Sequence, residues 1–178
     1  MKIAEIWRYP VKTMSGEKLQ RARLGPLGIE GDRVVHVEDA QGQVITARPH
    51  PRFLGHKGAL GLDGEPLVDG WPWSSPEVAA KVVDIVGPGA KLVRYDGVER
   101  FDVLPLLMAT DGAIVAFGQD HRRLRPNIVI GGVDGLARVV GCLPAHREGA
   151  HRGPGSAPSL HHDGIRSGHA GPGQEHHP

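Results

Sequence analysis

The composition of this chain changes near Arg138, and the change limits how much of it can fold. Before that point apolar and polar stretches alternate between ordinary turn residues, ending in an apolar run at residues 128–130. Residues 139–178 are rich in Gly, Pro and His and contain almost nothing that could form a strand or a core. Such a segment buries too little apolar surface to offset the entropy lost on folding. We therefore predict a disordered tail over residues 139–178.

Charge and length exclude several classes of function. A formal net charge of +1 over 178 residues offers no basic excess for nucleic acid or a membrane surface. No stretch approaches the roughly eighteen apolar residues of a membrane span, and the N-terminus lacks the features of a signal peptide. The single cysteine, Cys142, cannot form an internal disulfide. We expect a soluble, cytoplasmic protein that binds neither nucleic acid nor membrane, and a largely aliphatic core because aromatic residues are few.

Short strand patterns dominate the first part of the chain. They are predicted at residues 2–9, 19–24, 33–38, 43–46, 55–62, 67–68, 91–95 and 127–130. Turn residues at 39–42 favour a hairpin between the third and fourth of these strands. Ser75 and Thr110 are typical N-cap residues and predict a helix that starts at Pro76 and ends before Gly87, and a second helix over residues 111–117. Many short strands with few helices indicate an α+β, β-rich fold that is barrel-like.

Three short segments place a cation or a hydroxyl at a turn or at the end of a strand, namely residues 9–13, 31–33 and 125–127. Lys12 offers a point charge and Thr13 a hydroxyl group. Arg33 and Arg125 each offer a planar guanidinium that can grip phosphate or carboxylate in two places. Together these side chains suit a phosphorylated ligand that is rich in heteroatoms.

Each of these residues also has a plainer interpretation. Lys12 can be an ordinary surface lysine, and Asp32 with Arg33 can form a local ion pair worth less than roughly 1 kcal/mol. Arg125 can belong to a solvated basic turn at residues 121–125. The anion-binding interpretation therefore depends on the three segments meeting at one place.

Four motifs resemble, in this order, those of the MOSC family with its N-terminal β-barrel domain, which includes the mitochondrial amidoxime-reducing component and its bacterial relatives. The motifs are Tyr-Pro-Val-Lys-Thr at residues 9–13, Gly-Ile-Glu-Gly-Asp-Arg at 28–33, Gly-Gln-Val-Ile-Thr-Ala-Arg at 42–48 and Leu-Arg-Pro-Asn-Ile-Val-Ile at 124–130. They all lie within the first three-quarters of the chain. The resemblance implies an N-terminal β-barrel-like domain over residues 1–95, an incomplete MOSC β-barrel over 96–138 and the tail beyond it.

The resemblance also implies a molybdenum cofactor, whose phosphate end and pterin would be held by Lys12, Thr13, Arg33 and Arg125. The family usually has Ser at the position of Thr13, and both residues supply a hydroxyl. Arg48 and Asn127 lie in matched motifs as well, and Asn127 would either contact the ligand or brace the turn after Pro126. The implied activity is reduction of N-hydroxylated or similar small-molecule substrates, with electrons from a separate electron-transfer partner.

The metal ligand of the family has no counterpart in this sequence. In the family a Cys within Arg-Cys, followed by Asp-Pro-Asp-Thr, binds molybdenum, and a thiolate suits such a metal because it is a soft ligand. Cys142 follows Arg125 too closely and precedes Leu-Pro-Ala-His, so we assign no metal ligand and no catalytic residue. A His-rich metal-binding tail is a weaker interpretation, since adjacent histidines lack acidic or Cys partners at ligand spacing. It would use His161, His162, His169, His176 and His177.

A shift of reading frame explains the tail. Back-translated and read one nucleotide further on, residues 159–177 allow Arg-Cys and Asp-Pro-Asp-Thr in their family positions. We therefore hypothesise that the frame was lost close to Arg138, in the gene itself or in its sequencing. The chain would then be an inactive or truncated copy of a MOSC oxidoreductase.

Two other functions fit the same resemblance. A MOSC domain also forms the C-terminal part of molybdenum cofactor sulfurases, which work beside a pyridoxal phosphate domain, so the chain can be a sulfur-carrier or cofactor-delivery module. A reduction assay with a reconstituted electron-transfer chain separates this function from an oxidoreductase. The third interpretation is a non-enzymatic fragment, whose missing last strands would leave unpaired sheet edges.

Overall fold

The computed structural model describes residues 1–95, 97–102, 104–118, 123–132 and 139–141. For residues 139–141 it describes the backbone only. All of the described residues belong to the unit Met1–His146. The strands are β1 (Lys2–Arg8), β2 (Glu17–Leu19), β3 (Leu24–Gly25), β4 (Gly28–Ile29), β5 (Val35–Glu38), β6 (Gly58–Leu60), β7 (Pro66–Val68), β8 (Trp71–Pro72), β9 (Lys91–Arg94), β10 (Leu107–Thr110), β11 (Ile128–Gly131) and β12 (Val139–Gly141). The α-helices are α1 (Pro76–Val86) and α2 (Asp111–Phe117), and short 3-10 helices cover Pro51–Gly55 and Val98–Arg100.

Four separate sheets contain these strands. The largest has the order β12-β10-β11-β1-β2, with β10 and β11 parallel and the other neighbours antiparallel. Smaller sheets pair β3 with β4, β5 with β9, and β6 with β7 and β8. The described chain is therefore β-rich with few helices, which confirms the predicted class. The predicted barrel is not closed, because the largest sheet ends at the three-residue edge strands β2 and β12 among the described strands.

Strand β1 links the two ends of the described chain. Its residues Lys2 to Ile6 pair with β11, and Ile6 to Arg8 pair with β2. The five-stranded sheet therefore includes strands from both sides of the predicted domain boundary at residue 95. Strand β12 also adds to this sheet, beside β10. The tail predicted to be disordered over residues 139–178 therefore begins with a strand at Val139–Gly141, and the rest of it lies outside the described residues.

Helix α1 forms where its capping residues predict it. The Ser75 hydroxyl accepts a 3.4 Å hydrogen bond from the amide of Val78, and Pro76 occupies the first turn. Both Val78 and Val82 are fully buried, since residues four apart lie on the same face of a helix. The helix thereby closes one side of the larger hydrophobic core.

Two hydrophobic clusters hold the described chain together. The larger cluster lies among β5, β7, α1 and the segments between them, and Phe53 is the aromatic residue among its buried described members, as a largely aliphatic core predicts. The smaller cluster contains Ile29, Leu106 and Ile128, with Ile6 packed against it. Both clusters lie next to the turns that carry the candidate site residues, so the cores hold those turns in place.

Several predicted strands have different bounds. The strand predicted over residues 19–24 is divided: β2 ends at Leu19, and Leu24 with Gly25 begins the short hairpin of β3 and β4. The hairpin around residues 39–42 does form its turn, in which Asp39 Oδ1 accepts bonds of 2.9 Å from the amides of Gln41 and Gln43. The return arm makes only a bridge from Val44 to Glu38, and the regular partner of β5 is β9. Residues 55–62 form a strand only over Gly58–Leu60.

No helix among the described residues combines the length and apolar character needed to cross a membrane.

Candidate functional site

Three residues with left-handed backbone line a single cavity. Thr13, Arg33 and Arg125 have φ angles of 79°, 54° and 48°. Among the described residues, Asp69 is the other non-Gly residue with a positive φ. Each such residue costs on the order of 1–3 kcal/mol, and residues of this kind cluster at functional sites. The three predicted segments therefore meet at one place, and each carries local backbone strain there.

The cavity combines cations with apolar walls. Its volume is about 960 Å³. Asp102 is the one carboxylate residue in the described lining, and the apolar side chains include Leu54, Phe101 and Leu106. The cationic residues that line it are Lys12, Arg33, Arg48, Arg123 and Arg125. Among the described lining residues, five cations against one anion make the cavity electropositive, so it suits an anionic ligand that also has an apolar or aromatic part.

Both the backbone and the side chain of Lys12 are held by specific contacts. Its amide donates a 2.7 Å hydrogen bond to the carbonyl of Val35, because Val11 bridges to Val35 at the start of β5. Only 7% of Lys12 is exposed, and its Nζ lies 2.8 Å from Oδ1 of Asp102. The structure therefore places Lys12 inside the cavity, not on the surface as its plainer interpretation had it.

Thr13 and Arg125 each present an unpaired donor. Thr13 is 1% exposed, yet its Oγ1 has no hydrogen-bond partner within the described part of the chain. The same holds for the buried Nη1 of Arg125. A buried polar atom without a partner costs on the order of 1–3 kcal/mol, so each one needs an explanation. Both residues line the cavity, so a ligand anion bound there would lie next to these donors.

Arg33 lines the cavity but is also part of its support. Its Nη1 donates to Oδ2 of Asp32 and, over 3.2 Å, to Oδ1 of Asn127. Its Nη2 lies 3.5 Å from the carbonyl oxygen of Arg125, which accepts the bond. The guanidinium also lies 5.4 Å from the centre of the Tyr9 ring. Arg33 therefore orients the turn that carries Arg125 and adds its charge to the cavity.

Asp32 connects Arg33 to the backbone of Tyr9. It is completely buried and accepts a 2.7 Å hydrogen bond from the amide of Tyr9. Burial raises the pKa of Asp32, although the charge of Arg33 acts in the opposite direction. The pKa of Arg125 is lowered, first by burial and then by the charge of Arg33. These two guanidinium groups thus lie close enough to repel each other, which favours an anion between or beside them.

Asn127 lies behind the cavity and does not line it. It is fully buried, accepts a 3.1 Å hydrogen bond from the amide of Leu107, and donates a 3.3 Å bond to the carbonyl of Trp7. With the bond from Arg33, three partners use its amide. Of the two predicted roles, the geometry matches bracing of the turn, because the side chain holds β1, β10 and the Arg33 guanidinium together.

Two residues of the lining need further comment. Arg48, for which the motif at residues 42–48 gave no definite role, lines the cavity together with Thr46 and Ala47 of the same motif. Asp102 was missed, because the segment around it carries no recognisable pattern and its partner Lys12 is 90 residues away in the sequence. Only the fold brings these two side chains into contact. In the basic turn at residues 121–125, His121 and Arg122 lie outside the described residues.

No group of three or more His, Cys, Asp or Glu residues that could hold a metal ion occurs in the described part of the chain. Cys142 and the histidines of the tail lie outside it.

Comparison with known proteins supports an assignment for the N-terminal part. No curated protein sequence matches the chain. Residues 1–65 match the family model described as the MOSC N-terminal beta barrel domain. The matched segment contains Lys12, Thr13 and Arg33, whereas Arg125 lies beyond it. The match at residues 1–65 supports the interpretation of the chain as a MOSC-domain protein.

Proposed function

We propose that the cavity binds the phosphate end and the pterin of a molybdenum cofactor. One observation carries the proposal: Thr13, Arg33 and Arg125, all with left-handed backbone, line one electropositive cavity. The matched N-terminal domain supports a MOSC-domain protein, and such proteins commonly bind this cofactor. Contacts with the ligand would then offset the free-energy cost of the left-handed backbone at these three residues.

The side chains present fit such a ligand. A phosphate monoester carries about −1.5 to −2 charges at neutral pH and three strong acceptor oxygens. Lys12 supplies a compact charge, while Thr13 Oγ1 and Arg125 Nη1 supply the two unpaired donors. Leu54, Phe101 and the other apolar side chains of the lining offer a surface for a flat heterocycle. The cavity volume, about 960 Å³, is sufficient for a ligand of this size.

The chain's own residues would bind and orient the ligand. Lys12 and Arg125 would neutralise the phosphate, and Arg33 would keep the Arg125 turn in position through the carbonyl of Arg125. The cofactor, when bound, supplies two-electron chemistry at molybdenum. Cys142, the single cysteine of the chain, lacks the Arg-Cys and Asp-Pro-Asp-Thr context of the family's metal ligand. For this reason the proposal is cofactor binding without turnover.

Cofactor retention tests the binding proposal. The full chain is produced in bacteria that make the cofactor, and the pterin released after purification is quantified by fluorescence together with molybdenum. We expect retained pterin in the wild type and a loss of about tenfold or more in Arg125→Ala, because a charged hydrogen-bond donor to phosphate is removed. Arg52→Ala is the matched control, since Arg52 is exposed, pairs with Asp84 and does not line the cavity. Absence of pterin from the wild type, or equal retention by Arg125→Ala, contradicts the proposal.

An activity assay tests the absence of turnover. Reduction of an amidoxime with a reconstituted electron-transfer chain is expected to proceed at the rate of the protein-free control. Stoichiometric molybdenum with measurable reduction would show that the chain is an active oxidoreductase. Sequencing of the gene around codon 138 tests the reading-frame hypothesis directly. An uninterrupted frame that encodes this tail, with no base missing or added relative to close relatives, contradicts that hypothesis.

A further inference from the structure

The ion pair between Lys12 and Asp102 joins a buried cation to an exposed carboxylate. The Nζ of Lys12 lies 2.8 Å from Oδ1 of Asp102. The Lys12 side chain is 9% exposed and that of Asp102 is 69% exposed. Asp102 is also the one carboxylate residue in the described lining of the cavity. Asp102, the more exposed partner, therefore already pairs with the ammonium group that an incoming anion would need.

We propose that Asp102 is an intramolecular competitor of the ligand anion, holding Lys12 in the free protein and releasing it when a phosphate binds. This inference rests on the proposed function, because it concerns the same cavity. It assigns a role in setting ligand affinity to a residue outside every sequence motif that pointed to the cavity. Asp102 is a positioning residue in this scheme, since it acts on the ligand through Lys12.

The two partners differ in how freely they can move. Lys12 is fixed by its backbone hydrogen bond to Val35 and by burial of its side chain. Asp102 lies between the 3-10 helix Val98–Arg100 and β10, outside any regular strand or helix. On displacement its carboxylate needs only to turn toward water, where it is readily hydrated. The exchange thus costs little on the Asp102 side, and Lys12 stays in place for the ligand.

A phosphate can displace this carboxylate because it gains more contacts. Asp102 contacts Lys12, whereas a phosphate in the cavity would also lie beside Thr13 and Arg125, which line it and whose Oγ1 and Nη1 atoms lack a partner within the described chain. Burial acts to raise the pKa of Asp102, but the hydrogen bond from Lys12 and the nearby cations outweigh it and hold that pKa below its ordinary value. At neutral pH Asp102 is therefore an ionised competitor.

Removal of the competitor is predicted to have two opposite effects. Asp102→Asn leaves the buried ammonium of Lys12 without its charged partner, so the free protein becomes less stable. The same change removes both the competition for Lys12 and the repulsion of an incoming anion, so phosphate binds more tightly. A residue with a purely structural role would lose stability without any gain in ligand affinity.

Calorimetric titration of the purified full chain with phenyl phosphate tests the inference. The titration is done at about pH 8, above the second pKa of a phosphate, about 6, so that the probe is a dianion. We expect Asp102→Asn to bind roughly fivefold more tightly than the wild type, the scale of a partly exposed ion pair. Asp102→Glu, which keeps the carboxylate, should bind like the wild type.

Asp84→Asn is the matched control, because its side chain is 68% exposed, pairs with Arg52 over 2.5 Å and lies outside the cavity lining. It removes the same charge and should leave affinity unchanged. If the wild type binds and Arg125→Ala does not, but Asp102→Asn binds no better than Asp84→Asn, the inference is wrong and the proposed function stands. If neither the wild type nor Asp102→Asn binds the probe, both are wrong.

Discussion

Arg33 donates a 3.2 Å hydrogen bond from Nη1 to Oδ1 of Asn127, a residue 94 positions away in the sequence. Asn127 also bonds to the backbone of Trp7 in β1 and of Leu107 in β10. The five-stranded sheet is thus connected directly to a guanidinium that lines the cavity. This connection makes the geometry of the cavity depend on the stability of the sheet.

Replacement of Asn127 by Ala is expected to destabilise the protein by about 2–4 kcal/mol, because buried hydrogen-bonding groups lose their partner. Urea denaturation measures the change in the free energy of unfolding. Gln41→Ala serves as control, since Gln41 is an exposed residue with an amide side chain, and it should change stability by less than about 0.5 kcal/mol. Equal effects of the two changes would show that Asn127 does not brace the fold.

Backbone strain at Thr13 can be separated from its hydroxyl. We expect Thr13→Gly to be more stable than Thr13→Ala by about 1 kcal/mol, because Gly adopts a φ of 79° without the steric penalty of a Cβ. Both variants lose the hydroxyl and should bind phosphate less tightly than the wild type. The control pair is at Thr46, which lines the cavity without a positive φ, and there the Ala variant should be the more stable. The same order at both positions would argue against strain at Thr13.

Gly28 and Gly42 form a matched pair for testing the packing next to the cavity. Both have a φ of 78°, so an added Cβ meets the same backbone penalty. At Gly28 that Cβ would lie 2.4 Å from the carbonyl oxygen of Pro105, whereas at Gly42 no described atom lies within 4 Å. Thermal or urea unfolding should show a loss of about 1 kcal/mol for Gly42→Ala.

Gly28→Ala should lose about 2 kcal/mol more, since the backbone of Pro105 must move. Pro105 lies between Leu104 and Leu106, which both line the cavity, so this variant should also bind phenyl phosphate less tightly. Similar stability losses in the two variants would mean that the contact between Gly28 and Pro105 is not tight.

The turn at Asp69 predicts a dependence of stability on pH. Burial acts to raise the pKa of Asp69, but hydrogen bonds from Lys81, His56 and the amide of Lys57 outweigh it and lower that pKa from 3.8 to about 2. A carboxyl whose pKa is lowered by folding stabilises the protein above its unfolded-state pKa and loses that contribution as the pH falls. The stability advantage of the wild type over Asp69→Asn should therefore shrink between pH 3.8 and about 2.

Asn is a suitable replacement at this position, because it tolerates the φ of 51° that Asp69 adopts. Denaturation at several pH values between 2 and 7 measures the difference. A difference in the free energy of unfolding that stays constant over this range would show that ionisation of Asp69 does not stabilise the folded state.

Helix starts and ends could be predicted from the sequence, because the hydrogen bonds that cap a helix join residues close together in the chain. Thr110 caps α2 through a 3.0 Å hydrogen bond from the amide of Ala113, and Gly118 ends the helix with a φ of 63°, both as predicted. Helix α1 begins at its predicted cap for the same reason. Such bonds join residues three or four positions apart, so a single sequence contains both partners.

Strand pairing was predicted less well, because it depends on residues that are distant in the chain. The hairpin at residues 39–42 has correct turn chemistry, yet β5 takes β9 as its regular partner, from more than 50 residues further on. The described sheets also do not close into a barrel, since closure depends on how the edge strands β2 and β12 pair.

The sequence by itself determined the helix caps, the turns and the residue types suited to an anion, because each of these follows from neighbouring side chains and backbone. The motifs also pointed to Lys12, Thr13, Arg33 and Arg125 as one group. Only the tertiary structure decided that these four line one cavity. It also decided that Asn127 bonds to Arg33 behind the cavity and that Asp102 forms an ion pair with Lys12. Contacts of this kind depend on the packing of segments about 90 residues apart, which neighbouring residues do not encode.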